Sequence, residues 1–379
     1  MPWRKSGKML GTSGKRHSKV VLVADVGGTN TTFALVGQAQ KKGREKRWEK
    51  GQEKYSLLWR QRYASKSITS FPHVVRKVLG EIEKKSGFSV TQACFAGAGP
   101  VSPDGKNIKI THLPWSIDAE KIQKVSGLAC VLLINDFDAI AYGVDAIPKS
   151  TIVLVKEGQV VSDAPRALLG SGTGLGKSII IFHEEKQTYV PISSEGGHAS
   201  AALETEEEFA LARFIQNNVP SNGKSSVIAW EDLVSGKGIT NIYRFLEESF
   251  EGTLEETAGN RKREIRQASY DPAIIAQYKN SDPLCRKTFD LFVRFTARCA
   301  KNLALDALTR GGVYLAGGIT AKNVEVFQRK VFKDEFIHTK KMKELLEQVP
   351  IYAIINYDVS LYGAARAALL CQSSNRKKR

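Results

Sequence analysis

Apolar positions recur along the chain in short runs and in helical stripes. Val20 to Ala24 is a β-branched apolar run that meets the turn Asp25-Val-Gly-Gly-Thr-Asn30, and Thr31 to Val36 resumes the strand character, predicting strand, glycine turn, strand. Ser70 and Pro72 signal a helix start. Val75, Val78, Leu79 and Ile82 then fall at i, i+3, i+4 and i+7, a buried stripe that ends by Gly87. Ala93 to Ala96 reads as a strand leading into Gly97-Ala-Gly-Pro100, and Val131 to Ile134 as a buried strand ending at Asn135-Asp-Phe137. Residues 166 to 182 repeat the opening design, with apolar Ala167 to Leu169, the turn Gly170-Ser-Gly-Thr-Gly-Leu-Gly176, and apolar Ser178 to Phe182. Thr205 and Glu208 form a capping-box pattern for a helix toward Asn217, and Phe292, Phe295, Cys299 and Leu303 mark a long buried helix. Val313 to Ala316 enters Gly317-Gly318, Ile351 to Ile355 is one more strand, and Ser360 to Leu370 closes with a helix rich in small residues. Strands alternating with helices throughout predict an α/β architecture in two lobes.

Composition changes this picture little. A chain of 379 residues, 42% hydrophobic and 25% charged, is sized for about two folded domains. Its longest apolar runs, such as Ala129 to Ile134, stop far short of the roughly 20 residues a membrane-spanning helix requires. The first residues are basic but lack an apolar core, so a secretory signal is not expected and the cytoplasm is the expected location; an organellar transit peptide is the alternative. Cys94, Cys130, Cys285, Cys299 and Cys371 are scattered without metal-ligand or redox spacing and read as reduced, mostly buried thiols.

Charge is the exception. The net +17 is carried by three segments: +6 in residues 1 to 24, +7 in residues 41 to 66, and +4 in Arg376 to Arg379. The rest of the chain is neutral. These segments read as solvated appendages on a neutral body, with a docking surface for RNA, anionic lipid or an acidic protein as the sharper alternative. Residues 41 to 66 in particular read as an enlarged loop or a frayed hairpin extension.

The chemistry lies in the glycine turns and in the acids near them. Backbone N–H groups freed by glycine, with Thr29 or Thr173 alongside, make concave anion sites suited to a phosphate chain. A carboxylate such as Asp25 would repel phosphate unless a divalent cation lies between, so Asp25 is read as a Mg²⁺ partner, directly or through water. The turn from Gly170 to Gly176 is not a dinucleotide fingerprint, because Lys177 stands where a third Gly is required. Gly14-Lys15-Arg16 lacks the Ser or Thr of a P-loop. Asp136, Asn135, Glu195, His198 and Glu231 together can orient a polyhydroxylated ligand, because carboxylates accept hydrogen bonds from vicinal hydroxyls. Each has a plainer alternative: Asp136 as the cap of a helix from Phe137, Glu231 as the start of a helix after Ser226, His198 as a satisfied surface histidine.

Asp25-Val-Gly-Gly-Thr-Asn30, Ile134-Asn-Asp-Phe137, Gly170-Ser-Gly-Thr-Gly-Leu-Gly176, Glu195-Gly-Gly-His198, Val234-Ser-Gly236 and Leu315-Ala-Gly-Gly-Ile319 resemble, in this order, the motifs of bacterial-type glucokinases. That family lies within the sugar-kinase and actin-like ATPase superfamily, and the resemblance runs from about residue 20 to 370. It implies an α/β fold of two ribonuclease H-like lobes with the active site in the interlobe cleft. The expected domains are a basic extension at 1–19, a small lobe at 20–145 completed by the helix 359–372, a large lobe at 146–358, and a basic tail at 373–379. It further implies ATP-dependent phosphorylation of glucose at the 6-hydroxyl, with ATP and Mg²⁺ required. Asp136 would be the general base; Asn135, Glu195, His198 and Glu231 would hold the sugar. Asp25, Gly27, Gly28, Thr29 and Asn30 would form one phosphate loop and Gly172, Thr173 and Gly174 the other, with Gly317 and Gly318 as the adenosine loop. The expected partners are sugar and nucleotide, with a homodimer held open and nucleic acid or an acidic protein assigned only to the basic segments.

The chain departs from the family where Thr111-His-Leu-Pro-Trp115 places His112 at a position that is commonly Asn. No Cys-rich zinc motif follows His198, so a structural zinc is not expected. The competing readings are a kinase of another hexose or amino sugar, a non-catalytic sugar-sensing regulator that binds nucleic acid through its basic segments, and an actin-like ATPase module. Asp136 argues against the regulator, and the sugar-type set around it argues against the ATPase module.

Overall fold

The computed structural model describes residues 8–10, 17–39, 55–110, 113–218, 227–249 and 256–376. His112 and the basic stretches 1–7, 11–16, 40–54 and 377–379 lie outside the described residues. Fourteen strands are assigned among them: β1 (Lys8–Met9), β2 (His17–Val26), β3 (Asn30–Ala39), β4 (Tyr55–Ala64), β5 (Gln92–Gly97), β6 (Asn107–Lys109), β7 (Ser116–Asp118), β8 (Cys130–Asn135), β9 (Ile152–Lys156), β10 (Arg166–Ser171), β11 (Leu175–His183), β12 (Thr188–Ile192), β13 (Val313–Ala316) and β14 (Ile351–Ile354). The helices are α1 (Phe71–Ser86), α2 (Ala119–Ser126), α3 (Asp136–Gly143), α4 (Glu206–Asn218), α5 (Gly236–Ser249), α6 (Glu256–Gln267), α7 (Pro272–Gln277), α8 (Pro283–Ala307), α9 (Gly318–Lys322), α10 (Val324–Phe327), α11 (Lys330–Ile337), α12 (Lys343–Gln348) and α13 (Val359–Arg376). None of these helices is long and apolar enough to cross a membrane.

The chain divides into two compact units. The first comprises Met1–Lys149, Phe182–Ser193 and Asn356–Arg379; the second comprises Ser150–Ile181 and Ser194–Ile355. The first unit is built on a sheet of order β1-β4-β3-β2-β5-β8, in which β2, β5 and β8 run parallel. One face buries Leu22, Phe33, Phe95 and Leu133 beneath α1 and α2; the other buries Val21, Val23, Ala34 and Cys94 beneath α13. Apolar residues on both faces suit strands sandwiched between helices, which read as continuous hydrophobic runs. Helix α1 starts where predicted, with Pro72 in its first turn, and ends at Gly87, whose φ of 70° is open to glycine without a Cβ penalty. Its first residue, Phe71, stacks on Phe33 at 5.5 Å and on Trp115 at 5.6 Å. Aromatic burial of this kind contributes about 2–3 kcal/mol per side chain.

The second unit carries inner strands in the order β11-β10-β13-β14-β9, with β10, β13 and β14 parallel. Helix α8 runs through its core, where Phe292, Phe295 and Cys299 are fully buried and Leu303 nearly so. Its N-cap Asp282 accepts the Cys285 N–H at 2.9 Å. The box read at Thr205 and Glu208 forms by half: Thr205 Oγ1 accepts the Glu208 N–H at 3.3 Å, while the Glu208 carboxylate accepts from Glu204 N–H and from Arg298 instead.

Two stretches differ from the sequence expectation. From Tyr55 onward the stretch 41–66, read as an enlarged loop or a frayed hairpin extension, is strand β4, paired with β3 in a hairpin except at Leu58 and burying Leu58 and Trp59. A register shift opposite Leu35 and Val36 inserts Leu58 as an extra residue, which breaks the period-2 pattern that would have revealed the strand. The sheet also starts earlier than residue 20, since Lys8–Met9 pairs with Trp59 and Arg60, and β2 begins at His17.

Candidate active site

In the first unit the candidate groups collect at the C-terminal ends of three parallel strands, where open α/β sheets place ligands. Asp25 pairs with Ala96 across β2 and β5, and Gly97 pairs with Asn135 across β5 and β8. Asp25 is half-buried; Ser360, at the start of α13, donates its hydroxyl to Asp25 Oδ2 at 2.6 Å. Burial raises the Asp25 pKa, the Ser360 hydrogen bond lowers it, the charge of Asp358 raises it, and the charges of Arg60 and Arg62 lower it; the net direction is up.

Asn135 is the N-cap of α3. Its Oδ1 accepts the N–H of Phe137 at 2.8 Å and of Asp138 at 3.4 Å, while Nδ2 donates to the Gly99 carbonyl at 3.1 Å. The cap is therefore Asn135 and not Asp136. Released from that task, Asp136 occupies the first helical position and accepts the Phe137 N–H at 2.9 Å. Burial, and after it the charge of Asp25, pushes the Asp136 pKa up to about 7.

The turn from Asp25 to Asn30 is locked from outside. Gly27 N–H donates to Asn30 O at 3.0 Å, and Ser65, just beyond β4, donates its hydroxyl to Gly27 O at 2.6 Å and its N–H to Thr29 O at 2.9 Å. A further 2.9 Å hydrogen bond joins Ser65 to Thr31.

In the second unit the other candidates surround the turn Gly172–Leu175. Glu231 lies in the short 3-10 turn Trp230–Asp232, ahead of α5 rather than within it, and its carboxylate accepts the Leu175 N–H at 2.9 Å. A Cβ on Gly174 would meet that carboxylate at 2.5 Å, so a side chain there would displace it. Glu195 and His198 flank the 3-10 turn Gly196–His198, which is tied to the Glu231 turn by a hydrogen bond from Trp230 N–H to Ala199 O at 3.0 Å. Both side chains are largely exposed, at 76% and 66%, with Oε2 and Nε2 3.8 Å apart. The structure thus brings Glu195, His198 and Glu231 together beside one glycine turn.

That turn also borders a cavity of about 710 Å³, within the size range of small-molecule sites. Thr173, Lys237, Ile239, Pro272, Ile319 and Asn323 line it, together with Gly172 and Gly318. Gly317 turns β13 into α9 with φ at 93°, and its Cα passes so close to Ser171 that a Cβ would meet Ser171 O at 2.2 Å. Only glycine lets these two loops close on the cavity.

Sequence reasoning missed Ser65, Ser360 and the contribution of α7. A lone serine after a strand or at a helix start carries no motif. Among the described residues, Glu204, Glu335 and His338 are near enough to share a cation. Arg298 already neutralises that cluster, bonding Glu335 at 2.8 Å, Glu204 at 3.2 Å and the buried Glu208 at 2.7 Å, which reads as a structural ion-pair network.

The chain is similar to known proteins along nearly its whole length. A glucokinase family model matches residues 22–370. The chain is 32% identical to the glucokinase of Nostoc punctiforme over 363 residues, covering 92% of this chain and 98% of that protein, and 30% identical to that of Synechocystis with 92% and 97% covered. Among solved structures, a glucokinase from an Antarctic psychrotroph superposes with a TM-score of 0.74 at 24% identity, covering 93% of this chain and 99% of that one. A ROK family glucokinase from Streptomyces griseus, solved with glucose and AMPPNP, gives 0.58 at 18%, with 92% and 99% covered. These structural likenesses show the α/β fold of the actin-like ATPase superfamily that the motifs imply. Taken with the sequence matches along nearly the whole chain, they establish that this protein belongs to the glucokinase family.

Proposed function

We propose that the protein phosphorylates glucose with ATP, by in-line transfer of the γ-phosphate to the 6-hydroxyl, with Asp136 as general base. The observation that carries this reading is the Asp136 carboxyl itself, held at the end of β8 with its pKa pushed up to about 7. A base is most effective when its pKa lies near the working pH, because it is then ionised yet still basic enough to take a proton. Asp136 accepts the hydroxyl proton as the sugar oxygen attacks phosphorus, and the leaving ADP carries the bonding pair away.

Asn135, Glu195, His198 and Glu231 hold the sugar. Glu231 commits one oxygen to Leu175 N–H, leaving the other for a sugar hydroxyl. Asn135 spends its Oδ1 on the helix cap and one amide hydrogen on Gly99, so a single amide hydrogen remains for the sugar. Gly27, Gly28, Thr29 and Asn30 form one phosphate loop and Gly172, Thr173 and Gly174 the other, while Gly317 and Gly318 form the nucleoside seat, with Gly318 lining the cavity. Mg²⁺ fits Asp25: Oδ2 is engaged by Ser360, the other oxygen is a hard donor, and the half-buried Asp136 carboxylate is in electrostatic reach. When bound there, directly or through water, Mg²⁺ would neutralise charge on the phosphate chain.

The test is a coupled assay of the purified protein with Mg²⁺-ATP against glucose, mannose, fructose, glucosamine and N-acetylated hexosamines. Efficient turnover of glucose that disappears in Asp136→Asn supports the reading. Preference for another sugar, or turnover that survives the substitution, overturns the substrate or the base respectively.

A further inference from the structure

The sheet register of the first unit brings a cation to the first phosphate loop. Asp25 of β2 pairs with Thr32 of β3, and Thr32 pairs with Arg62 of β4, so the three residues form one row across three strands. Directly paired residues project to the same face, and two strand spacings amount to about 10 Å, a gap a long Arg side chain crosses in large part. Arg60, two positions earlier and on the same face, is already committed to Asp358 at 2.9 Å. Arg62 is exposed, and among the described residues no hydrogen bond or ion pair engages its guanidinium.

The end of β4 does not float beside this loop. Three residues beyond Arg62, Ser65 bonds Gly27 O, Thr29 O and the Thr31 hydroxyl, clamping the strand end to the glycine turn. The clamp fixes where the base of the Arg62 side chain stands relative to the N–H groups of the turn. A guanidinium with its hydrogen-bond donors unspent, beside an anion cradle, suits a phosphoryl group better than a surface ion pair.

We propose that Arg62 is a phosphate-contacting residue, closing the open side of the Asp25–Asn30 loop over the nucleotide's terminal phosphates. This rests on reading that loop as a phosphate loop. The alternative is that Arg62 serves only as a distant counter-charge to Asp25.

The experiment compares full-length wild type, Arg62→Gln and Arg62→Lys by calorimetric titration with inorganic tripolyphosphate and by steady-state kinetics, with Tm as a check on folding. Loss of a charge-assisted contact predicts that Arg62→Gln weakens tripolyphosphate binding and lowers kcat/KM for ATP by about 10- to 100-fold. The KM for glucose and the Tm should stay at wild-type values, and Arg62→Lys should recover part of the loss. A folded Arg62→Gln protein with wild-type tripolyphosphate affinity and wild-type ATP kinetics overturns the assignment while leaving the kinase reading intact. A wild type inactive on every sugar, yet binding tripolyphosphate in an Arg62-dependent manner, would instead overturn the kinase reading and support the phosphate contact.

Discussion

The Glu231 carboxylate accepts the backbone N–H of Leu175 at 2.9 Å, bridging the turn that precedes α5 to the glycine loop between β10 and β11. A group expected to bind ligand therefore also braces a loop. Glu231→Gln keeps an acceptor for Leu175 and should weaken sugar binding while leaving Tm nearly unchanged. Glu231→Ala orphans the N–H and should cost about 1–2 kcal/mol of stability as well. Glu195→Gln, at a side chain 76% exposed, should affect sugar affinity alone. Thermal unfolding beside sugar titration separates the three; equal Tm losses in Glu231→Gln and Glu231→Ala would show that the brace is not the hydrogen bond.

Asp136→Asn should lower kcat by about 100- to 10,000-fold, the usual contribution of a positioned base, with much smaller change in glucose KM. In the wild type, kcat/KM should fall as pH drops below about 7, because protonation of Asp136 in the free enzyme removes the base. A pH-rate profile flat from pH 6 to 8 would remove Asp136 from the mechanism.

The same carboxyl destabilises the fold at working pH. Its pKa rises from 3.8 to about 7 on folding, so between those values the folded state binds more protons than the unfolded one, and stability falls as pH rises. Asp136→Asn should therefore unfold at higher temperature than wild type at pH 8, by an increment worth about 1–4 kcal/mol, and the advantage should vanish near pH 4. An advantage that persists at pH 4 would point to a cause other than the charge.

Ser360→Ala removes the hydroxyl that favours the ionised form of Asp25. Asp25 is already raised by burial, and without its donor it should rise further. The variant's loss of stability should then be larger at pH 8 than at pH 5, because ionisation of Asp25 increases with pH and the hydroxyl favours the ionised form, reaching about 1–3 kcal/mol once the carboxyl is charged. Unfolding curves at the two pH values check this, and an equal loss at both would deny Ser360 its electrostatic role.

Much of this arrangement was legible in the chain. Both glycine hairpins, helices α1 and α8, and strands β5, β8, β13 and β14 follow from periodicity and turn chemistry, because each buries its own apolar pattern. Strand β4 was not legible, since its bulge at Leu58 breaks the alternation and Arg60 and Arg62 mimic a solvated loop. Asp25 and Asp136 stood out through the strand ends they occupy. Ser65 and Ser360 did not, because their importance lies in backbone carbonyls and a carboxylate brought near only by the fold, 38 and 335 positions away respectively. Asn135 showed a further limit: its residue type suits either a ligand contact or a helix cap, and only the geometry shows how much of the amide the cap consumes.

Helix α13 also bears on how the molecule is made. It covers the middle of one face of the first sheet, with Leu361, Ala364, Ala365 and Ala368 packed on Val21, Val23 and Ala34. A ribosome delivers those strands more than 300 residues before the helix that shelters them. Until α13 emerges, that apolar face has no cover from its native partner. The unit whose synthesis begins first thus cannot finish folding until the last helix has been made. In the growing cell, chaperone demand should concentrate on this waiting sheet, and ribosome-bound chains halted before residue 359 should expose it to protease.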